Sequence, residues 1–183
     1  MGGCPGEAPV IDAYLDQTAT IARLLDQAQI DTVLGELRQL RARRGRLFII
    51  GNGGGQGSHA AADFRKIAGI EAYAWGENVH DLTAYTNDHG FACATARWLE
   101  DSRCGKNDAV LVFSVGGASR TVSVNLKEAV FWALSGPRVL GIVGGEGGYV
   151  QRHADACIVI PSTSTPHVEG FQAVLWHLLV TCL

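Results

Sequence analysis

The chain has 183 residues, 47% of them hydrophobic and 18% charged, with a formal net charge of -3. This composition excludes a disordered polymer, and the length suits one domain with a sizeable core. The acidic balance counts against nucleic-acid binding, which favours a concentrated basic face. The one basic cluster, Arg38, Arg41, Arg43, Arg44 and Arg46, reads as a solvated helix end. In chain order, Val10, Ile11, Tyr14, Leu15, Ile21, Leu24 and Leu25 recur at helical spacing and predict a helix from Ala8 to about Ala28. A second helix is expected over 30–44, with Asp31 near its start and Gly45 beyond its end. RLFIIG (46–51) is a short apolar run stopped by glycine, the pattern of a strand buried on both faces. A helix near 58–68 follows, and then a weaker strand candidate, EAYAWGE (71–77). DAVLVFSVGG (108–117), PRVLGIVGG (137–145) and DACIVIPS (155–162) repeat the buried-strand pattern, with helices near 119–134 and 166–182. This alternation predicts an α/β fold, a parallel sheet with helices on both faces, preceded by two helices. The expected organisation is one domain over 1–183, with a helical pair (8–44) and an α/β core (46–183).

Five scattered cysteines without a C-x-x-C pair suit reduced thiols better than a disulfide framework. The acidic residues Glu7, Asp12 and Asp16 do not suit a signal peptide. No stretch has eighteen uninterrupted apolar residues. The expectation is a cytoplasmic protein with no membrane span.

Two glycine-rich loops, 51–57 and 116–118, follow strands and precede helices, so both fall on the carboxyl edge where open parallel sheets bind ligands. Glycine there lets the backbone approach an anion, and the N–H groups of a helix start point at it. GNGGGQG has neither the G-x-G-x-x-G register with its distant acid nor a G-K-[ST] ending, which speaks against a nucleotide. In FSVGGAS (113–119), Ser114 ends a strand and Ser119 sits at an expected N-cap, a role that needs no ligand.

His59 and Asp63, four apart on an expected helix, face the same way and can share a divalent metal or act as an acid/base pair. Such a pair is also a common surface contact. On the last helix, Glu169 and His177 lie about 80° apart around the axis, so both can reach one cavity. A lone His177 among Val168, Phe171, Val174, Leu175, Leu178 and Leu179 would read as a core histidine, but the four polar residues together make a constellation.

The blocks GNGG (51–54), SHAAADFRKIAGI (58–70), LTAYTNDHGF (82–91), DAVLVFSVGGAS (108–119), PSTSTPHVE (161–169) and the histidine of FQAVLWH resemble the SIS (sugar isomerase) domain family. Within it, the chain is most similar to the sedoheptulose-7-phosphate isomerase group. The resemblance implies a flavodoxin-like, five-stranded parallel sheet and a homotetramer with active sites between subunits. It further implies a phosphosugar substrate, and a divalent metal for which zinc is the expected identity. By position, His59, Asp63, Glu169 and His177 would be metal ligands, with Asp63 and His177 also catalytic. Asn52, Gly53, Gly54, Asn87 and Asp88 would face the sugar, as would Asp63 and Glu169. Ser114, Val115, Gly116 and Ser119 occupy the family's phosphate loop.

The chain departs from the family pattern in places. The family usually has a serine where Gly55 stands and hydroxyls where Val115 and Gly116 stand, so two donors to a phosphate are missing. Arg65, Lys66 or Arg120 is available to supply charge instead. Asp63 replaces a longer glutamate and Glu169 a frequent glutamine, which gives a donor set of two carboxylates and two histidines suited to a divalent ion. Ketose–aldose isomerisation through an enediol needs a base, an acid and stabilisation of developing oxygen charge. Asp63 is the expected base and His177 its partner. The rival expectation is a non-catalytic SIS protein, either a protein-binding relative or a sugar-phosphate sensor; retention of all four polar positions weighs against it.

Overall fold

The computed structural model describes residues 8–53 and 56–183. Two helices lead the chain, α1 (Ala8–Leu24) and α2 (Gln27–Ala42). The cap of α2 is Asp26 and not Asp31: its carboxylate accepts from the N–H groups of Ala28 and Gln29, satisfying donors that a helix start leaves open. The elements that follow are β1 (Leu47–Gly51), α3 (Gln56–Lys66), β2 (Ala72–Ala74), α4 (Val79–Asp101), β3 (Ala109–Ser114) and α5 (Val124–Ala133). The chain then runs through β4 (Arg138–Gly144), α6 (Gly148–His153), β5 (Ala156–Ile160) and α7 (Thr165–Cys182).

The five strands pair in parallel in the order β2-β1-β3-β4-β5, the flavodoxin-like arrangement expected. Successive side chains of a strand leave on opposite faces. Leu47, Ile49, Leu111 and Ile142 therefore meet α2, α3 and α7, whereas Phe48, Ile50, Val110 and Val112 meet α4 and α5. Burying each such side chain contributes about 1.5–3 kcal/mol, so a strand covered on both faces reads as an unbroken apolar run.

Two helices have no counterpart in the periodicity. The longest, α4, is interrupted at Gly90 (φ 73°, ψ 150°), and Asn87, Asp88 and His89 precede the break. Packing of Ala94, Trp98 and Leu99 against the sheet holds its second half where local pattern is weak. The other, α6, is six residues long, too short for a period to emerge. A third difference bears on function: α5 begins at Val124 and not near 119. The intervening segment is committed elsewhere, because the N–H groups of Tyr149 and Val150 at the start of α6 donate to the carbonyls of Ala118 and Gly117. Gly117 (φ +68°) lies so close to α6 that a Cβ would sit 1.9 Å from the carbonyl oxygen of Gly147.

Candidate active site

β1 and β3 are neighbours whose following helices cross to opposite faces of the sheet, which opens a crevice at their carboxyl ends. A cavity of about 380 Å³ occupies it. Its floor is Gly51–Gly53 and the end of β3 (Phe113, Ser114 and Val115). Ser58 of α3 and Glu169 and Gln172 of α7 form one wall, and Trp75, Leu82 and Phe91 the other. Gly51 is closely packed, since a Cβ there would lie 3.2 Å from the carbonyl oxygen of Phe113. Gly53 takes φ +76°, a turn that glycine makes without strain. Gly54 and Gly55 lie outside the described residues.

Asn52 is anchored by a buried partner that sequence reading missed. Its side-chain NH₂ donates to Asn125 Oδ1 (2.8 Å), and Asn125 Nδ2 donates both to Asn52 Oδ1 (2.9 Å) and to Thr95 Oγ1 (2.9 Å). Asn125 and Thr95 are fully buried, so the reciprocal amide pair ties the loop after β1 to α4 and α5. A lone asparagine on an apolar helix and a threonine on another carry no joint signal in the sequence.

Where α3 packs on α7, His59, Asp63 and His177 come together, outside the lining of the cavity itself. Asp63 Oδ2 stands 3.4 Å from His59 Nε2 and 3.3 Å from His177 Nε2. The Asp63 side chain is 10% exposed, the two imidazoles 61% and 49%, so a buried carboxylate carries two outward-facing rings. His177 Nδ1 lies 2.8 Å from the carbonyl oxygen of Ala173. A carbonyl only accepts, so Nδ1 carries the hydrogen and a neutral ring keeps its lone pair on Nε2, facing the group. Trp176 donates its indole N–H to Asp63 Oδ2 (3.2 Å), a further contact the sequence did not reveal.

These donors suit a divalent ion. Nitrogen and oxygen ligands at about 2.0–2.1 Å with tetrahedral angles are about 3.3–3.4 Å apart, the spacing found between Asp63 and both histidines. All three ligand atoms lie within 4.8 Å of one another. The group contains three of the four expected residues. Glu169, two turns before His177, stands outside it and lines the cavity instead.

The other expected site residues divide. Ser114 is buried at the cavity floor, with Val115 beside it. Gly116 is exposed and stands just beyond. Ser119 is neither in the cavity lining nor a helix cap. Its Oγ accepts from the N–H groups of Thr121 and Val122 in a local turn, because α5 starts only after that turn. Asn87 and Asp88 are exposed on α4, hydrogen-bonded to each other (2.8 Å) and away from the cavity of this chain. Arg65 is committed to the carbonyl of Ala72. Neither it nor Lys66 or Arg120 lines the cavity.

No protein-family model matches the chain. A phosphoheptose isomerase from a Roseiflexus species is 31% identical over 145 residues, covering 75% of this chain and 71% of the relative. The chain belongs to the phosphoheptose isomerase family. A second member, from a Nitratiruptor species, is 29% identical over 145 residues, covering 75% of each. Among solved structures, the phosphoheptose isomerase from Neisseria gonorrhoeae superposes with a TM-score of 0.83 over 95% of this chain and 96% of that one, at 21% identity. That likeness extends the shared fold over nearly the whole length. No helix among the described residues is long and apolar enough to cross a membrane.

Proposed function

We propose that the protein is an aldose–ketose isomerase that interconverts sedoheptulose 7-phosphate and an aldoheptose 7-phosphate. The observation that carries this is the His59–Asp63–His177 group on α3 and α7, two helices that also contribute Ser58, Glu169 and Gln172 to the cavity at the β1/β3 crevice, in a chain of this family. The cavity is of a size for one small ligand. Asp63, held in a fixed orientation, is assigned the carbon-bound proton next to the carbonyl, and returns it to the neighbouring carbon. His177, whose lone pair is on Nε2, is assigned the hydroxyl proton that passes between the two oxygens, a role it fills only while that nitrogen is not on a metal. Asn52, Gly53, Gly54 and Glu169 are the proposed contacts to the sugar. The phosphate is assigned to the loop after β3, through Ser114 and the backbone of Val115 and Gly116. Ser119 then acts by holding the turn behind that loop. A non-catalytic role is not favoured, since the acid and both histidines stand in contact.

Zinc is the proposed metal, held by His59, Asp63 and His177, a three-ligand set that leaves a position open. Bound there, it would supply Lewis-acid polarisation of the sugar carbonyl. A homotetramer is the proposed assembly. It is supported by the exposed apolar residues Val10, Ile11 and Leu15 of α1, and by Val174 and Leu178, which flank His177 on α7 and are 53% and 40% exposed. Asn87 and Asp88 would then complete the site of a neighbouring subunit. The four described cysteines are free, which supports the proposed cytoplasmic setting.

The test is product analysis by NMR of the purified protein against a panel of ketose phosphates, with and without added zinc. Conversion of sedoheptulose 7-phosphate is the expected result; turnover of none of the panel overturns the reading. A strict monomer in light scattering at micromolar concentration would remove the assembly.

A further inference from the structure

Trp176 stands beside His177 in sequence, yet its ring is buried, 3% exposed, against Phe113 with ring centroids 5.9 Å apart. Its indole N–H meets Asp63 Oδ2 at 3.2 Å. That is the same oxygen that faces both imidazoles, at 3.4 and 3.3 Å. The ring also underlies them, its centroid 5.5 Å from that of His59 and 4.9 Å from that of His177. An indole N–H only donates and does not titrate. A carboxylate turning about its terminal torsion has no sharp rotamer of its own, so a fixed donor from the core decides which oxygen is presented and in which direction. One lone pair of Oδ2 takes the indole hydrogen and the other is left facing the histidines.

We infer that Trp176 is a positioning residue for this site, whose N–H fixes Asp63 Oδ2 as the shared vertex of the His59–Asp63–His177 group. The inference rests on the proposal that this group holds a divalent metal. Removing a partner that orients a metal ligand typically lowers metal affinity 10- to 100-fold. Phenylalanine at 176 keeps a ring in the core and removes the N–H.

The experiment titrates zinc alone, by calorimetry, into chelator-stripped wild type, Trp176→Phe and His177→Ala. His177→Ala should lose tight binding, and Trp176→Phe should bind about 10- to 100-fold more weakly than wild type. Trp176→Phe matching wild type while His177→Ala loses zinc overturns the role of Trp176 and leaves the metal site standing. Three equal titrations overturn the metal site, and the inference with it. A second measurement uses the wild type and needs no folded variant. Of the four tryptophan indole N–H resonances, one should move when zinc is added and should exchange slowly with solvent. If none moves, the indole does not hold the ligating oxygen.

Discussion

The two edges of the sheet are built in opposite ways. At the amino edge, the Arg46 guanidinium grips Asp108 through Nε (3.2 Å) and Nη2 (2.8 Å) and donates to the carbonyls of Ser102 and Arg103. Asp108 in turn accepts from the N–H groups of Arg46 and Gly105. Gly45 packs so tightly there that a Cβ would lie 1.9 Å from the carbonyl oxygen of Asn107. The Arg46 and Asp108 side chains are spent on one another and on nearby backbone, although exposed Arg44, Arg103 and Lys106 stand around them. At the carboxyl edge, β1, β3 and β4 end in glycine or serine and the cavity stays open. On the α3 and α7 side of the sheet, the buried Asp63 carboxylate carries two imidazoles that face outward. Each region holds a buried carboxylate, but Asp108 is satisfied by an arginine and backbone N–H groups while Asp63 faces two exposed imidazoles, which is the physical difference between a structural knot and a site.

The largest expected effect tests the open edge. His177→Ala should lower turnover by about 10²- to 10⁴-fold, the scale of a positioned acid or base, and should release bound zinc. It should melt within a few degrees of the parent, since the ring is half exposed. A large fall in melting temperature would make His177 structural and dissolve the contrast. The closed edge should respond the other way. Asp108→Asn should cost about 2–3 kcal/mol in denaturant unfolding through lost charge-assisted hydrogen bonds, with kcat/KM unchanged.

That edge also makes a pH prediction. Burial pushes the Asp108 carboxyl up, but hydrogen bonds from Arg46 and from the Arg46 and Gly105 N–H groups outweigh it and hold the group below its ordinary 3.8. A depressed carboxyl stabilises the fold above its unfolded value, and that contribution is lost as pH falls through the lower folded value. Stability of the parent should therefore fall more steeply than that of Asp108→Asn as pH drops below about 4. Parallel acid-unfolding curves would remove the knot from the account.

A smaller effect sharpens the open edge. Asn125→Leu breaks the reciprocal amide pair with Asn52 and strands the Thr95 hydroxyl. It should cost about 1–3 kcal/mol of stability and raise KM more than it lowers kcat, because the loop after β1 loses its anchor. An unchanged KM would mean that the loop is held by other contacts. The smallest effect concerns the thiols. Burial raises Cys104 and Cys157 to about 12, so neither should react with a disulfide reagent at neutral pH. Exposed Cys93 and Cys182 should react. Labelling of Cys104 or Cys157 in the native protein would show that the core opens.

Residue order alone settled the sheet and its two-sided cover, because buried strands must be continuous apolar runs and RLFIIG, VLVFS and CIVI have no other use in water. It also brought His59 and Asp63 onto one helical face, since a spacing of four residues is set by the helix period. What it left undecided depends on contacts between distant elements. The pairing of Asn52 with Asn125, the indole of Trp176 on Asp63, and the placement of Glu169 in the cavity wall each join segments far apart in the chain. The late start of α5 is of the same kind. SVGGAS has the glycines and serine of a loop leading straight into a helix, but the carbonyls of Gly117 and Ala118 are taken by the open N–H groups of α6. Local pattern reports what a segment can form; which of its polar groups are already spoken for is decided only when the other segments arrive.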